Sequence, residues 1–310
     1  MVEKLKNIPY GEEYPNENER KMRALKEAVE ADRIQPIDFI GKRYYTREYI
    51  DKANRELSEK LSTERDPGDD EGRLAEWEFA YAIGHGETLL GCRASLASEY
   101  DDHMNGIDVV CKLKTENSDK PHVFGVDICT ATLSDAVSKK FTRGDHPRGD
   151  VPVGCSFIKF YEDNGFVACM KGVPRFVVGA SPLFIGHQKY LANFHLEDDG
   201  SVSHTPDPDL QFNVLSSLFI QSSNLKRRLQ KKGTGDEFIR ERAIGTCKAV
   251  QIASGRSLYK LMGVKQGEDF YKKLNEELVR ARELKVNGCR DACYASVVNE
   301  SLKRQNLDFA

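Results

Sequence analysis

Long apolar runs are missing from this chain of 310 residues. Its longest weakly polar stretch, Val173 to Gly186, is broken by Arg175 and Pro182 and falls short of the ~20 apolar residues a spanning helix needs. The opening MVEKLKNIPYGEEYPNENERK holds no apolar segment of the kind a secretory signal carries, so a cytoplasmic protein with no membrane partner is expected. No CxxC pair occurs among the eight cysteines, which read as scattered, reduced and mostly buried thiols. Cys289 and Cys293 have no second ligand pair nearby, so structural zinc has little support. The histidines His85, His103, His122, His146 and His187 show neither HxxxH nor HExxH spacing, which argues against a zinc hydrolase. There is no GxSxG, no GxGxxG after a strand and no GxxxxGK[ST], so acyl-enzyme and nucleotide-dependent chemistry lack their usual motifs. Nor is either sign of charge in excess: 46 basic residues face 49 acidic ones, and only local charge can inform about partners.

What is present is a polar, foldable chain, 39% hydrophobic and 31% charged, with enough length for two small domains or one core plus helical extensions. Glu17 to Asp32 spaces Met22, Leu25, Ala28 and Val29 as one helical stripe, and Thr46 to Leu61 reads as a second helix. The acid after Thr46 falls at Glu48, one residue too early for a capping box. The polar run from Glu64 to Gly72 marks a boundary. From Arg73 a helix carries Trp77, Phe79 and Tyr81, and a further helical stretch is expected through Leu89, Leu90 and Leu96 to Tyr100. Gly106 to Leu113 and His122 to Cys129 are β-rich runs around the polar TENSDKP and predict a hairpin. Ser134 to Phe141 reads as helix, Val153 to Tyr161 and Arg175 to Gly179 as strands, and Leu210 to Leu229 as helix. The charged remainder, Phe270 to Leu284 for example, is helix-prone. The expected fold is α/β (α+β), a mixed central sheet with an antiparallel hairpin flanked by helices. Residues 1–70 form an N-terminal helical extension, 71–232 the core and 233–310 a helical C-terminal extension.

The chemistry-bearing segment is EYDDHMNGIDVV, ending with Asp108 and its neighbours, followed 19 residues on by Asp127 in FGVDICTAT. Alternation along strands turns each aspartate away from its apolar neighbours, and a carboxylate inside an apolar strand is costly unless something pairs with it. Paired strands would set Asp108 and Asp127 side by side, where mutual repulsion calls for a cation. A hard divalent ion such as Mg²⁺, or Mn²⁺, satisfies two aspartates plus a glutamate and can activate water beside a phosphate.

This order of motifs resembles the PD-(D/E)XK nuclease-like superfamily, and the strings SEYDDHMNGIDVV and FGVDICTAT resemble an uncharacterised bacterial family within it. The likeness spans about Ala75 to Gly179. It implies a restriction-endonuclease-like fold, with Asp108 as the first hairpin acid, Asp127 as the second and a glutamate on the preceding helix. Glu99 and Glu87 rank above Glu78 for that last place, and Asp102 is a further candidate. The resemblance also implies Mg²⁺- or Mn²⁺-dependent hydrolysis of phosphodiester bonds in nucleic acid, with DNA the first expectation. Where the superfamily carries its strand lysine this chain has Cys129. Some members place the lysine on the following helix, which points to Lys139 or Lys140; if neither serves, the fold is a catalytically silent binding protein for nucleic acid or a protein.

Two further features complete the reading. Lys159 is expected at a strand edge, where lysine discourages edge pairing. Lys226, Arg227, Arg228, Lys231 and Lys232 crowd a helix end, where they suit the helix dipole and offer phosphate-backbone contacts.

Overall fold

The computed structural model describes residues 17–42, 45–63, 70–84, 88–116, 118, 120–129, 134–143, 150–163, 166–179, 194–199, 201–205, 208–231, 236–264, 267–286 and 297–301. Three helices come first, α1 (Glu17–Ala31), α2 (Arg47–Thr63) and α3 (Asp70–Gly84), with a 3₁₀ turn at Pro36–Phe39. Strand β1 (Cys92–Leu96), helix α4 (Glu99–Asn105), strands β2 (Val109–Leu113) and β3 (His122–Cys129) and helix α5 (Ser134–Arg143) follow. Then come β4 (Cys155–Asp163), β5 (Phe166–Gly179), a small ribbon of β6 (Phe194–Leu196) and β7 (Val202–His204), and helices α6 (Pro208–Lys231), α7 (Glu237–Met262) and α8 (Glu268–Val286). Among the described residues no helix is long and apolar enough to cross a membrane.

The molecule is mixed α/β: a five-stranded sheet in the order β1-β2-β3-β5-β4, flanked by helices. Neighbours run antiparallel except β3 and β5, which are parallel. One face of the sheet, through Val109, Cys111, Phe124, Val126, Phe176 and Val178, joins the main core with Phe79 and Ile83 of α3, Leu218 of α6 and Val250 of α7. Leu25 and Val29, the α1 stripe, are buried in the same cluster. The other face carries smaller clusters, one around Ile107, Val110 and Ile158, another around Cys129, Val137 and Val177.

The expected helix from Leu89 to Tyr100 is instead β1 followed by α4. Cys92, Ala94 and Leu96 are buried while Arg93 is exposed, a period of two rather than 3.6. Gly91 ends any helical register, since its φ of 76° is left-handed and a Cβ there would meet the Lys114 carbonyl oxygen at 2.8 Å. The hairpin of β2 and β3 forms as expected, and β5 runs nine residues further toward its N-terminus than Arg175. Thr46 does cap α2 from one side only, its Oγ1 accepting from the Tyr49 N–H at 3.2 Å.

Lys159 does lie on the edge strand, but it is covered. Its ammonium sits over the rings of Tyr100 at 3.9 Å and Tyr49 at 4.8 Å and 3.4 Å from Glu56, so α2 and α4 close that edge. Buried Asp101 of α4 holds the same region. It accepts from the N–H groups of Lys159 (2.7 Å) and Phe160 (3.2 Å), and from Ser98 and Asn105 at 2.8 Å each. The register of β4 on β5 shifts between Ile158 and Tyr161, and Asp101 satisfies the two N–H groups in that interval. α4 is thereby fastened to the sheet beside the hairpin.

Candidate functional site

Asp108 stands one residue before β2, and the register Val109 to Val126 sets it opposite Asp127. Ile107 and Val109 do not share a face as simple alternation predicts: Ile107 is buried in one cluster and Val109 in the main core on the other side. The chain turns because Gly106 caps α4 in the left-handed conformation, with φ 63° and ψ 47°. Ile107 then crosses over Gly125, where an added Cβ would meet its side chain at 2.9 Å, so a glycine on β3 makes room for the crossing. Asp108 is thus swung to the end of the hairpin, and its Oδ2 accepts from the Ile128 N–H at 2.6 Å.

Asp127 points to the face opposite Val126 and Ile128 and is 1% exposed. Both its oxygens are engaged: Oδ1 by the ammonium of Lys140 and Oδ2 by the guanidinium of Arg175. Lys140 arrives from α5, where Val137 is buried against Cys129 and Val177 with Phe141 packed alongside. Lys140 lies three residues from Val137 and so on the same helical face. Its Nζ also donates to the Ile128 carbonyl and lies 3.9 Å from Asp108 Oδ2. Arg175, on β5, donates from Nε to the Gly106 carbonyl at 2.7 Å and from its Nη2 to the Lys140 carbonyl at 2.8 Å. One buried arginine therefore ties together the end of α4, Asp127 and the backbone of α5.

A second group of acids meets on the other side of Asp108. Ligand oxygens of Glu76 (α3), Asp102 (α4) and Asp108 all lie within 4.8 Å of one another. Burial, and then Asp108, push the Glu76 pKa up to about 8. Burial, and then Glu76, push Asp102 up to about 7. Burial raises Asp108 well above the usual carboxylate range; Lys140 pulls against this while Asp127 and Asp102 add to it. For Asp127 burial also works upward, but Lys140 and Arg175 outweigh it and hold the group below its ordinary value. Lys140 is the mirror case: burial would lower its pKa, and Asp127 and Asp108 raise it. Arg33 lends positive potential to Asp102 and Glu76 from the outside, while its own hydrogen bonds go to Glu30 and the Ala97 carbonyl.

Three converging carboxylates, of which Asp108 also has the Lys140 ammonium at 3.9 Å on its other side, are chemically suited to a hard divalent ion. An ion bonded at about 2.1 Å sets its ligands about 3–4.2 Å apart, which the 4.8 Å limit on these oxygens admits. Without an ion the group accommodates its charge by holding protons.

Of the residues singled out from sequence, Asp108, Asp127 and Lys140 come together, and Asp102 joins them. Lys139 is exposed on the outer side of α5. Glu99 is exposed in the first turn of α4 and stands outside the acidic group, and Glu87 lies outside the described residues. Glu78 is buried with neither oxygen hydrogen-bonded, and burial raises its pKa well above the usual range. The helical glutamate at the site is Glu76, two residues earlier on α3. At 100° per residue the two positions differ by about 200°, so Glu76 faces the acids and Glu78, the expected candidate on this helix, does not. Cys129, in the place of a strand lysine, is buried beside Val137 and Val177. Of the basic run, Lys226 donates to Gln251 at 2.6 Å and Arg228 is half-buried. Arg227 and Lys231 are exposed, and Lys232 lies outside the described residues.

Glu76 and Arg175 are the site residues that were not expected, although the signal for Arg175 was present: a lone arginine inside the apolar run Val173 to Gly179 needs a buried counter-charge. Compared with models of protein families, with curated proteins and with solved structures, the chain matches none of them.

Proposed function

We propose that the chain is a metal-dependent nuclease of restriction-endonuclease-like fold that hydrolyses phosphodiester bonds in nucleic acid, DNA in the first instance. The observation that carries the reading is the meeting of Lys140 with the two hairpin aspartates, next to the three converging acids Glu76, Asp102 and Asp108. A strand-borne acid pair, a helical glutamate and an ammonium at one spot are the parts phosphodiester hydrolysis needs. Their order along helix, hairpin and following helix supports the fold assignment.

Glu76, Asp102 and Asp108 would hold Mg²⁺ or Mn²⁺, which when bound supplies a Lewis acid for a phosphoryl oxygen and lowers the pKa of water. Lys140 has three N–H donors, and Asp127 and Ile128 engage two of them. The third serves a phosphate oxygen or the attacking water, offsetting negative charge as the new P–O bond forms and the bond to the leaving ribose oxygen breaks. Asp127 and Arg175 keep that ammonium charged and in place.

The test is incubation of the purified chain with single- and double-stranded DNA and RNA in Mg²⁺ and in Mn²⁺. Expected are cleavage that a chelator abolishes and losses of about 10²-fold or more in Asp108→Asn and Lys140→Met. A wild-type chain that leaves all four substrates intact with both metals overturns the enzymatic reading; salt-sensitive DNA binding without metal uptake would then mark a binding protein.

A further inference from the structure

Resting on that reading, we infer that the site takes a single divalent ion, and that Lys140 fills the place where a second ion would bridge Asp108 and Asp127. Two-ion phosphoryl-transfer sites put their ions roughly 3.5–4 Å apart, with a carboxylate shared between them. Here Asp108 is the acid positioned for sharing, since it belongs to the Glu76–Asp102–Asp108 group and also faces Asp127 across the hairpin. The space between the two aspartates is taken by the Lys140 ammonium, which contacts Asp127 Oδ1 and the Ile128 carbonyl and lies 3.9 Å from Asp108 Oδ2.

The charges point the same way. On the Asp127 side, one carboxylate faces the two cations Lys140 and Arg175, each in direct contact, leaving an excess of one positive charge. On the other side, Glu76, Asp102 and Asp108 bring three carboxylates together against the one ammonium of Lys140, 3.9 Å from Asp108, leaving an excess of negative charge. A divalent ion is drawn to the second place and repelled from the first, where it would have to displace the half-buried ammonium of Lys140 from Asp127. Asp127 acts in this arrangement as the anchor of Lys140 and not as a ligand. Arg175 reinforces the anchor, holding Asp127 by the side chain and α5 through the Lys140 carbonyl.

Mn²⁺ titration of the full chain, followed by calorimetry and by electron paramagnetic resonance, tests the inference without reference to cleavage. Expected are one Mn²⁺ per wild-type chain with an uncoupled six-line spectrum, and two in Lys140→Met, with the spin coupling of neighbouring ions that share a carboxylate. Lys140→Gln, which keeps a hydrogen-bonding head without the charge, should also take a second ion and serves if the methionine variant does not fold. Two coupled ions in the wild-type chain would overturn the inference while leaving the metal-site reading intact. So would a single ion in wild type and in both variants. No uptake by the wild-type chain at millimolar Mn²⁺ would overturn the inference and the metal site together.

Discussion

Asp108 and Asp127 are the same residue type, directly opposed across one hairpin, and their surroundings drive them in opposite directions. Asp127 is gripped by Lys140 and Arg175 and stays ionised well into acid. Asp108 accepts a backbone N–H and faces Asp102 and Glu76, and its pKa is raised. Burial is nearly complete for both, so partners, not depth, make the difference. Cations from α5 and β5 turn one acid into a fixed structural charge; acids from α3 and α4 turn the other into part of a group in which carboxylates outnumber the one nearby ammonium, Lys140. On the proposed reading, the contrast separates an anchoring acid from a metal-binding one within a single strand pair.

The largest effect that can break this contrast is removal of the anchored acid. Asp127→Ala takes from Lys140 and from buried Arg175 the carboxylate each contacts directly, leaving only Asp108, 3.9 Å from Lys140, and should cost about 3–5 kcal/mol in urea unfolding. Asp108→Asn should cost the metal-free protein far less, or stabilise it, because it removes a carboxylate from a repelling group. Equal losses in the two variants would erase the distinction.

Acidity sharpens it further. The Glu76 and Asp102 pKa values are raised on folding, from 4.5 to about 8 and from 3.8 to about 7. Their share of stability is therefore complete below the unfolded values and is lost as pH rises through the folded ones. In chelating buffer the thermal midpoint should fall between weakly acid and pH 8 conditions, and Mg²⁺ should remove most of that fall. Asp127 has the opposite sign: its lowered pKa supports folding above the ordinary carboxylate range, and this support is lost as pH drops through its folded value. A thermal midpoint in chelator that stays level or rises toward pH 8 would contradict the assignment of the acidic group.

Smaller effects mark the boundaries of the site. Glu78, two residues from Glu76, has no hydrogen-bond partner among the described residues, and Glu78→Met should raise stability by about 1–3 kcal/mol with Mn²⁺ affinity unchanged. Lys139→Ala, beside Lys140 but exposed, should shift stability by less than about 0.5 kcal/mol. A larger loss there would mean the two lysines had been separated wrongly.

Much of this was legible in the residues themselves. The hairpin announced itself through β-branched runs around TENSDKP, and the opposition of Asp108 and Asp127 followed from pairing. What stayed hidden depended on contacts made across distant segments. β1 reads as helix from sequence because Leu89, Leu90 and Leu96 suit either period; the alternating burial of Cys92 to Leu96 and the positive φ of Gly91 decide for strand. Glu76 could not be chosen over Glu78 without knowing which face of α3 meets the core. Asp101 and Asp102 are adjacent acids of one short helix, yet one is saturated by four donors and the other faces Glu76 and Asp108. No local pattern distinguishes such neighbours. Lys139 and Lys140 stood as equals in sequence, and the Val137–Phe141 stripe that sends one of them inward became meaningful only once α5 was docked.

The most direct test of the account is calorimetric titration of Mn²⁺ into the wild-type chain and into Asp108→Asn at neutral pH. Saturable uptake with release of protons in the wild type, lost in Asp108→Asn, is the predicted result. Undiminished uptake by Asp108→Asn, or none by the wild type, would contradict the claim that these carboxylates form a cation site beside Lys140.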